Sequence, residues 1–417
     1  MAYAKNTLTR TVFESRATVK SARPLAPCLV LLAWVAATAD AKLHVPSVPC
    51  PTIQAAIDAA KPNDEIEVAR GTYYETINFK GKALWLHSRD GAAVTTIAGS
   101  SIGGPFTVYC RSNEASATIL EGFTITRGGI FGGVGGGMYN RDSSPTVTDC
   151  TFTFTEIAMW NEGSNPTVTK CTFSDNLESM ANFGSNPTVI GCTFSDNNAM
   201  WGGVAGMHNR NGSPTVINCQ FINNFSANGG AMWNEASSPT IINCTFTGNT
   251  TSFFGGAMDN SDSNPTLINC AFIGNQASWG GGIASDGGSP TLINCTFTGN
   301  TAWFEEGGGI ANYGGGLTLS NCILWSDSGG EIYNSGDAAV SYSDIAGGFP
   351  GEGNIDADPL LDADCHLQPG SPCIDAGNSA DVPDEVRIDL DGKPRIRGAS
   401  VDVGAYESWY RGRKANY

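Results

Sequence analysis

Eight cysteines set the terms for this chain. From Cys150 they recur at 171, 192, 219, 244, 270, 295 and 322, every 21 to 27 residues. Proline stands five residues before each of the first seven, from Pro145 to Pro290, and phenylalanine two residues after, from Phe152 to Phe297. Methionine precedes the first six prolines by seven residues, at 138, 159, 180, 207, 232 and 258. Asparagine precedes them by five, at 140, 161, 182, 209, 234 and 260. The string INCTFTGNT occurs twice, at 242–250 and 293–301. Self-similarity at such a period marks a stack of like units that bury a shared core.

Each unit holds pieces of three to five residues rich in Val, Ile, Thr and Phe, separated by Gly, Asn, Ser and Pro, with no helical period. This predicts an all-β fold, a right-handed parallel β-helix of about 10–12 coils running from near residue 64 to near 345. Stacking in register turns each repeat position into a column of like residues ~4.8 Å apart. Columns of Cys, Phe and Met belong inside. A column of Asn can hydrogen-bond along the stack, and Asn also suits sharp corners that need φ > 0. The two 21-residue spacings mark tight coils, and the longer ones place extra residues at a corner. The stretch TIQAAIDAA at 52–60 predicts a short amphipathic helix covering the open N-terminal end.

The chain divides on this reading into four parts. Residues 1–41 form a signal peptide: five basic residues, an apolar run from Leu25 to about Ala37, then small residues at Ala39 and Ala41 suited to cleavage. Residues 42–127 hold the cap and first coils, 128–345 the regular repeats, and 346–417 a C-terminal domain. Removing the leader takes five basic and two acidic residues and leaves 18 basic against 38 acidic. Such a chain is a poor partner for nucleic acid, which needs a basic surface. No segment beyond the leader is long and apolar enough to span a membrane.

These motifs resemble known families. TIQAAIDAA followed by EIEVARGTYYE at 65–75 resembles the opening of pectate lyase-like and pectin esterase-like β-helix proteins. GGAM at 229–232 and 255–258, GGGI at 280–283, and F-x-x-N from Phe173 to Phe297 resemble the repeats of chlamydial polymorphic outer membrane proteins. That resemblance implies an adhesive passenger domain. SPCIDAGN at 371–378, DLDG at 389–392 and DVGAYE at 402–407 are similar to the choice-of-anchor Q domain of bacterial surface proteins. Together they imply a secreted or cell-surface protein of a bacterial envelope.

The chemistry is sought among residues that do not repeat. The residue between Met and Asn points outward and varies: Tyr139, Trp160, Ala181, His208, Trp233, Asp259. A second aromatic set precedes the Gly pairs: Phe131, Trp201, Phe254 and Trp279. Flat faces along a rigid rod suit sugar rings, so Tyr139, Trp160, His208, Trp233, Trp201, Phe254 and Trp279 are glycan-stacking candidates. A polysaccharide lyase needs Ca²⁺ or a positive group to neutralise a uronate, and a base. Arg141, Asp142, Arg210, Asp259 and Asp262 are the residues that could serve. Asp389 and Asp391 have the spacing that opens a calcium loop, but the downstream Glu of the full pattern is absent and a β-turn is the preferred reading. Calcium is the sole cofactor the residues suggest. Cys365 and Cys373, outside the column, are read as a disulfide. Three functions follow: an adhesin-like glycan binder, a pectate lyase-like enzyme on acidic polysaccharide, or a structural envelope spacer. The sequence does not decide whether the chain is an enzyme, and leans against it.

Overall fold

The computed structural model describes residues 41–99, 105–126, 136–200 and 203–410, all within one compact unit. The predicted signal peptide, all but its last residue Ala41, therefore lies outside the described residues, as do Phe131 and Trp201. Three long parallel sheets of 13, 12 and 11 strands run the length of the molecule, and a five-stranded sheet of two-residue strands lines a corner. This is the parallel β-helix expected, with about 12 coils. Each sheet takes its name here from its repeat: the Pro–Cys sheet (Thr146–Thr148 and equivalents), the Phe sheet (Thr151–Thr153 and equivalents) and the Met–Asn sheet (Ile157–Glu162 and equivalents).

Register explains the columns. Met138 pairs with Met159, Asn140 with Asn161 and Phe152 with Phe173, and the pattern continues coil by coil. Seven phenylalanine rings from Phe152 to Phe297 stack with centroids 4.4–5.0 Å apart and planes within 6°. The side-chain amide of each Asn in the Met–Asn sheet donates to the next, from Asn140 to Asn260, at 2.8–2.9 Å. The Asn of F-x-x-N forms a second buried ladder, Asn176 through Asn300, ending on Asp327. A third column does a different job. The residue before each column cysteine turns the corner with φ near +50 to +60°, as at Asn218, Asn243, Asn269, Asn294 and Asn321. In the GGA motif the first Gly takes φ of +56° to +66° at 229, 255, 280 and 307. A Cβ on the second would overlap the next coil's backbone, as Gly256 would with the carbonyl oxygen of Gly281.

The column cysteines are all buried and all free. Their thiols donate to backbone carbonyls, as Cys171 Sγ does to Thr169 O at 3.3 Å. Burial pushes the Cys171, Cys219 and Cys295 thiols well above the usual range. Thiolate is the reactive form, so the native protein is expected to leave these cysteines unmodified by a water-soluble alkylating agent. Denaturant should expose them all. Mass spectrometry before and after unfolding checks this, and native labelling of the column would refute it.

The N-terminal helix, Ile53–Ala59, caps the stack and buries Ile53, Ala56 and Ile57. Thr52 accepts from the Ala55 amide, and the Glu75 carboxylate accepts from the Ile53 and Gln54 amides at 2.9 and 2.8 Å. Glu75 of G-x-Y-x-E is thus a helix-capping residue. At the other end the last paired strand is Asp344–Ile345. The chain after it turns back over the corner between the Pro–Cys and Phe sheets. Asn269, Asn294 and Asn321 donate to the carbonyls of Ile388, Asp402 and Asn378. Ile323 of the coils shares a core with Cys373 and Val403, and Ile268 shares one with Val382 and Val401.

The disulfide expected between Cys365 and Cys373 does not form: both thiols are free. Cys373 instead donates to Asp344 Oδ2 at 3.0 Å, which draws it onto the last coil.

Candidate glycan-binding face

The outer faces of two sheets are monotonous. Threonine repeats along the Pro–Cys sheet from Thr146 to Thr318, and along much of the Phe sheet. The Met–Asn sheet is different, because the residue after Met and the residue after Asn both point outward and neither repeats. Register sets them in two parallel rows. One reads Tyr109, Tyr139, Trp160, Ala181, His208, Trp233, Asp259, Ala284, Ala311, Tyr333. The other includes Arg141, Glu162, Phe183, Arg210, Glu235, Ser261 and Asp286.

Aromatic rings pack along these rows in three runs. Phe106, Tyr109 and Tyr139 form the first. The second links Trp160 to Phe183 at 4.9 Å, Phe183 to His208 at 5.4 Å, and His208 to Trp233 at 4.7 Å with planes 7° apart. Ala181 leaves a gap in its row, and the Phe183 ring fills it from the other. The third run joins Phe254, Trp279 and Phe304 from the corner loops to Tyr313 and Tyr333. Small Ala284 and Ala311 beneath leave room for it. Trp160, Phe183 and Trp233 are half-buried. The indole N–H groups of Trp160 and Trp233 are buried with no hydrogen-bond partner among the described residues. A buried donor without a partner is costly and calls for an explanation.

His208 is not the exposed platform expected. It is 9% exposed, its Nε2 lies 2.9 Å from Glu235 Oε2 and its Nδ1 3.6 Å from Glu178 Oε1. Burial opposes its charge, but the two glutamates outweigh burial and raise its pKa. Arg210 Nε stands 3.8 Å from the same Glu235 oxygen. Asp259 sits where the second and third aromatic runs meet and is 8% exposed. Burial, then the charges of Asp286 and Glu235, push its carboxyl up to about 7, against a small pull from the Asn260 amide.

The lyase set does not assemble. Arg141 and Asp142 lie 3.8 Å apart and are both solvated, and Asp262 is exposed. Arg210 turns to Glu235 rather than to Asp259, two rungs away. Among the candidates, the structure gathers Trp160, His208 and Trp233 in one run and Phe254 with Trp279 in another. Tyr139 belongs to the first run and donates its hydroxyl to Glu162 at 2.7 Å. Glu178, Phe183, Glu235 and Asp286 were missed. Three of them fall at the outward position after Asn or its equivalent, a signal present in the repeat.

DLDG makes a turn. Gly392 N donates to Asp389 O at 3.0 Å, while the Asp389 carboxylate accepts from the amides of Lys393 and Glu407. Asp391 Oδ2 takes His366 and Lys393 at 2.9 and 2.6 Å, so both calcium-candidate carboxylates are engaged by protein donors. Among the described residues, only Glu65, Glu67 and His87 bring ligand atoms within 4.8 Å of one another. There the Lys42 ammonium already bridges the two carboxylates at 2.8 and 2.7 Å.

Fold and face define a β-solenoid with one chemically varied side. The family model described as right handed beta helix region matches residues 90–246 and 194–324, together over half the chain, and the chain belongs to that family. No curated protein matches its sequence. Among solved structures it is similar to pectate lyase Pel9A, at 14% identity over 88% of this chain and 96% of that one, with a TM-score of 0.48. It is also similar to an alginate lyase from Paenibacillus sp., at 13% identity over 76% and 99%, TM-score 0.40. A catalytic domain of GH87 alpha-1,3-glucanase, determined with nigerose, matches at 11% identity over 72% and 66%, TM-score 0.40. These likenesses concern the fold alone. Among the described residues no helix is long and apolar enough to cross a membrane.

Proposed function

We propose that this is an exported, adhesin-like protein of a bacterial surface that binds a glycan strand along the outer face of the Met–Asn sheet. The observation that carries the reading is the run Trp160–Phe183–His208–Trp233, with two buried indole donors that have no partner among the described residues. Coils repeat every ~4.8 Å, comparable to one hexose ring, so successive rungs can meet successive sugars. Aromatic faces supply apolar contact and the indole N–H groups offer donors to sugar oxygens.

Retention on immobilised polysaccharides with neutral, amino and uronate backbones tests this. The wild type should be retained by at least one of them. Trp160→Ala/Trp233→Ala should bind that glycan about tenfold or more weakly while keeping its β-sheet circular dichroism. No retention on any backbone would reject the reading and favour the spacer role.

A second reading, a glycan-cleaving enzyme, has one observation in its favour. Asp259 holds its proton near neutrality one rung from Glu235, which is paired with His208 and Arg210. A protonated acid beside a carboxylate is the pairing used in glycoside cleavage. New reducing ends from the retained glycan would establish hydrolysis, and unsaturated ends a lyase on acidic polysaccharide.

A further inference from the structure

The charge on the aromatic face is one-sided. Glu162, Glu178, Glu235, Asp259 and Asp286 all point outward along it or at its edge. Three described cations stand among them, none beside Asp259 or Asp286: His208 is committed to Glu178 and Glu235, Arg210 to Glu235, and Arg141 lies in register with Glu162 and beside Asp142. Asp259 and Asp286 have no cationic partner among the described residues. Strand register puts them one rung and two residues apart, a diagonal of ~7–8 Å. Asp259 is more than nine-tenths buried, and among the described residues no side chain donates to its carboxyl. In its row it stands between Trp233 and Ala284, so an apolar side chain flanks it on each rung. The carboxylates of Glu235, Asp259 and Asp286 do not converge closely enough to share one metal ion. They are spread along the strand direction of a ligand, not around a point. The whole chain adds to the bias, with a formal charge of −17.

We propose, building on the glycan-binding reading, that this face is made for a polymer of amino sugars with free ammonium groups, and that Asp259 with Asp286 receives those groups. A hexose ring with a primary ammonium matches both features of the face. Its C–H surface stacks on Trp160 and Trp233, and its ammonium offers donors and positive charge to acids that lack them. A uronate polymer would bring like charge to like charge, which costs binding and slows encounter. The N-acetylated form keeps the ring but loses the charge.

Isothermal titration with three oligosaccharides of one length tests this: a free amino-sugar oligomer, its N-acetylated form and a uronate oligomer. At about pH 6 the wild type should bind the amino oligomer about tenfold or more tightly than its N-acetylated form. Binding should release protons as the ammonium ionises Asp259, read from runs in buffers of different ionisation enthalpy. Asp259→Asn should erase both the preference and the proton release, and Asp286→Asn should reduce the preference. If Asp259→Asn fails to fold, Asp286→Asn alone still decides, because an unchanged preference there overturns the assignment. Equal or tighter binding of the N-acetylated or uronate oligomer would overturn the amino-sugar assignment and leave glycan binding standing. No binding of these three, with retention on a neutral glycan, would do the same. No binding to any glycan would overturn both.

Discussion

Phe221→Ala is expected to destabilise the protein by roughly 3–5 kcal/mol, toward the upper end of that range. The ring has 0% exposure and lies between Phe194 and Phe246 at 4.7 and 4.8 Å. In many cores a deletion is softened by neighbours collapsing into the space. Here the rungs above and below are held apart by ladder hydrogen bonds and by the Asn columns, so the cavity should persist. The lost area and the unfilled void then add. Phe154, 70% exposed, provides the contrast, because its alanine variant should change stability by no more than about 0.5 kcal/mol. Chemical denaturation of both variants checks the prediction. Solenoids can unfold in segments, so transitions should be followed by both circular dichroism and tryptophan fluorescence. Equal effects at the two positions would contradict the stacked-core explanation.

The second large effect concerns Asp259 and depends on pH. Burial and the neighbouring acids push its carboxyl up to about 7 in the folded protein, against ~3.9 for an unfolded aspartate. The folded state therefore holds the proton more tightly. That contribution to stability is fully present below the unfolded value and is lost as pH rises through about 7. The wild type should forfeit up to about 4 kcal/mol between those limits, at ~1.4 kcal/mol per tenfold change in proton affinity. Asparagine resembles the protonated acid and cannot ionise. Asp259→Asn should match the wild type near pH 4 and exceed it in stability by a few kcal/mol above about pH 8. The raised pKa of His208 acts in the same direction, with stability present at low pH and lost as it deprotonates, but it is common to both proteins. Thermal melts across that range decide the matter. A variant less stable than the wild type at high pH would mean that the ionised carboxylate is held favourably after all.

The interior was legible because it repeats. Spacing alone assigned Cys171, Phe173 and Met180 to inward columns, and each is buried; Asn182, expected to hydrogen-bond along the stack, does so with Asn161 and Asn209. The sharp-corner role of Asn is met at Asn243 and Asn294, the INC positions of the doubled string. The outer face was only half legible. Alternation put Trp160 and Trp233 outside, but it could not show that Phe183 crosses into the gap left by Ala181. Nor could it show that Arg210 would meet Glu235 of the next rung before any aspartate. Such contacts depend on side-chain length and direction at positions that vary. The C-terminal stretch was hardest. Asn269 meets Ile388 across 119 residues, and Cys373 meets Asp344 across 29. No local spacing announces either contact, and the eight-residue interval from Cys365 to Cys373 suggested a pairing that the last coil pre-empts.

Hydroxyl-radical footprinting of the protein with and without its most strongly retained glycan tests most directly whether the Met–Asn face is the binding site. Trp160, Phe183 and Trp233 should be protected on binding, with Phe254 and Trp279 protected by longer strands. Trp409, exposed at 60% on the C-terminal stretch, should be unchanged. Protection confined to Trp409 and Tyr410, or spread evenly over all exposed aromatics, would contradict the assignment of this face.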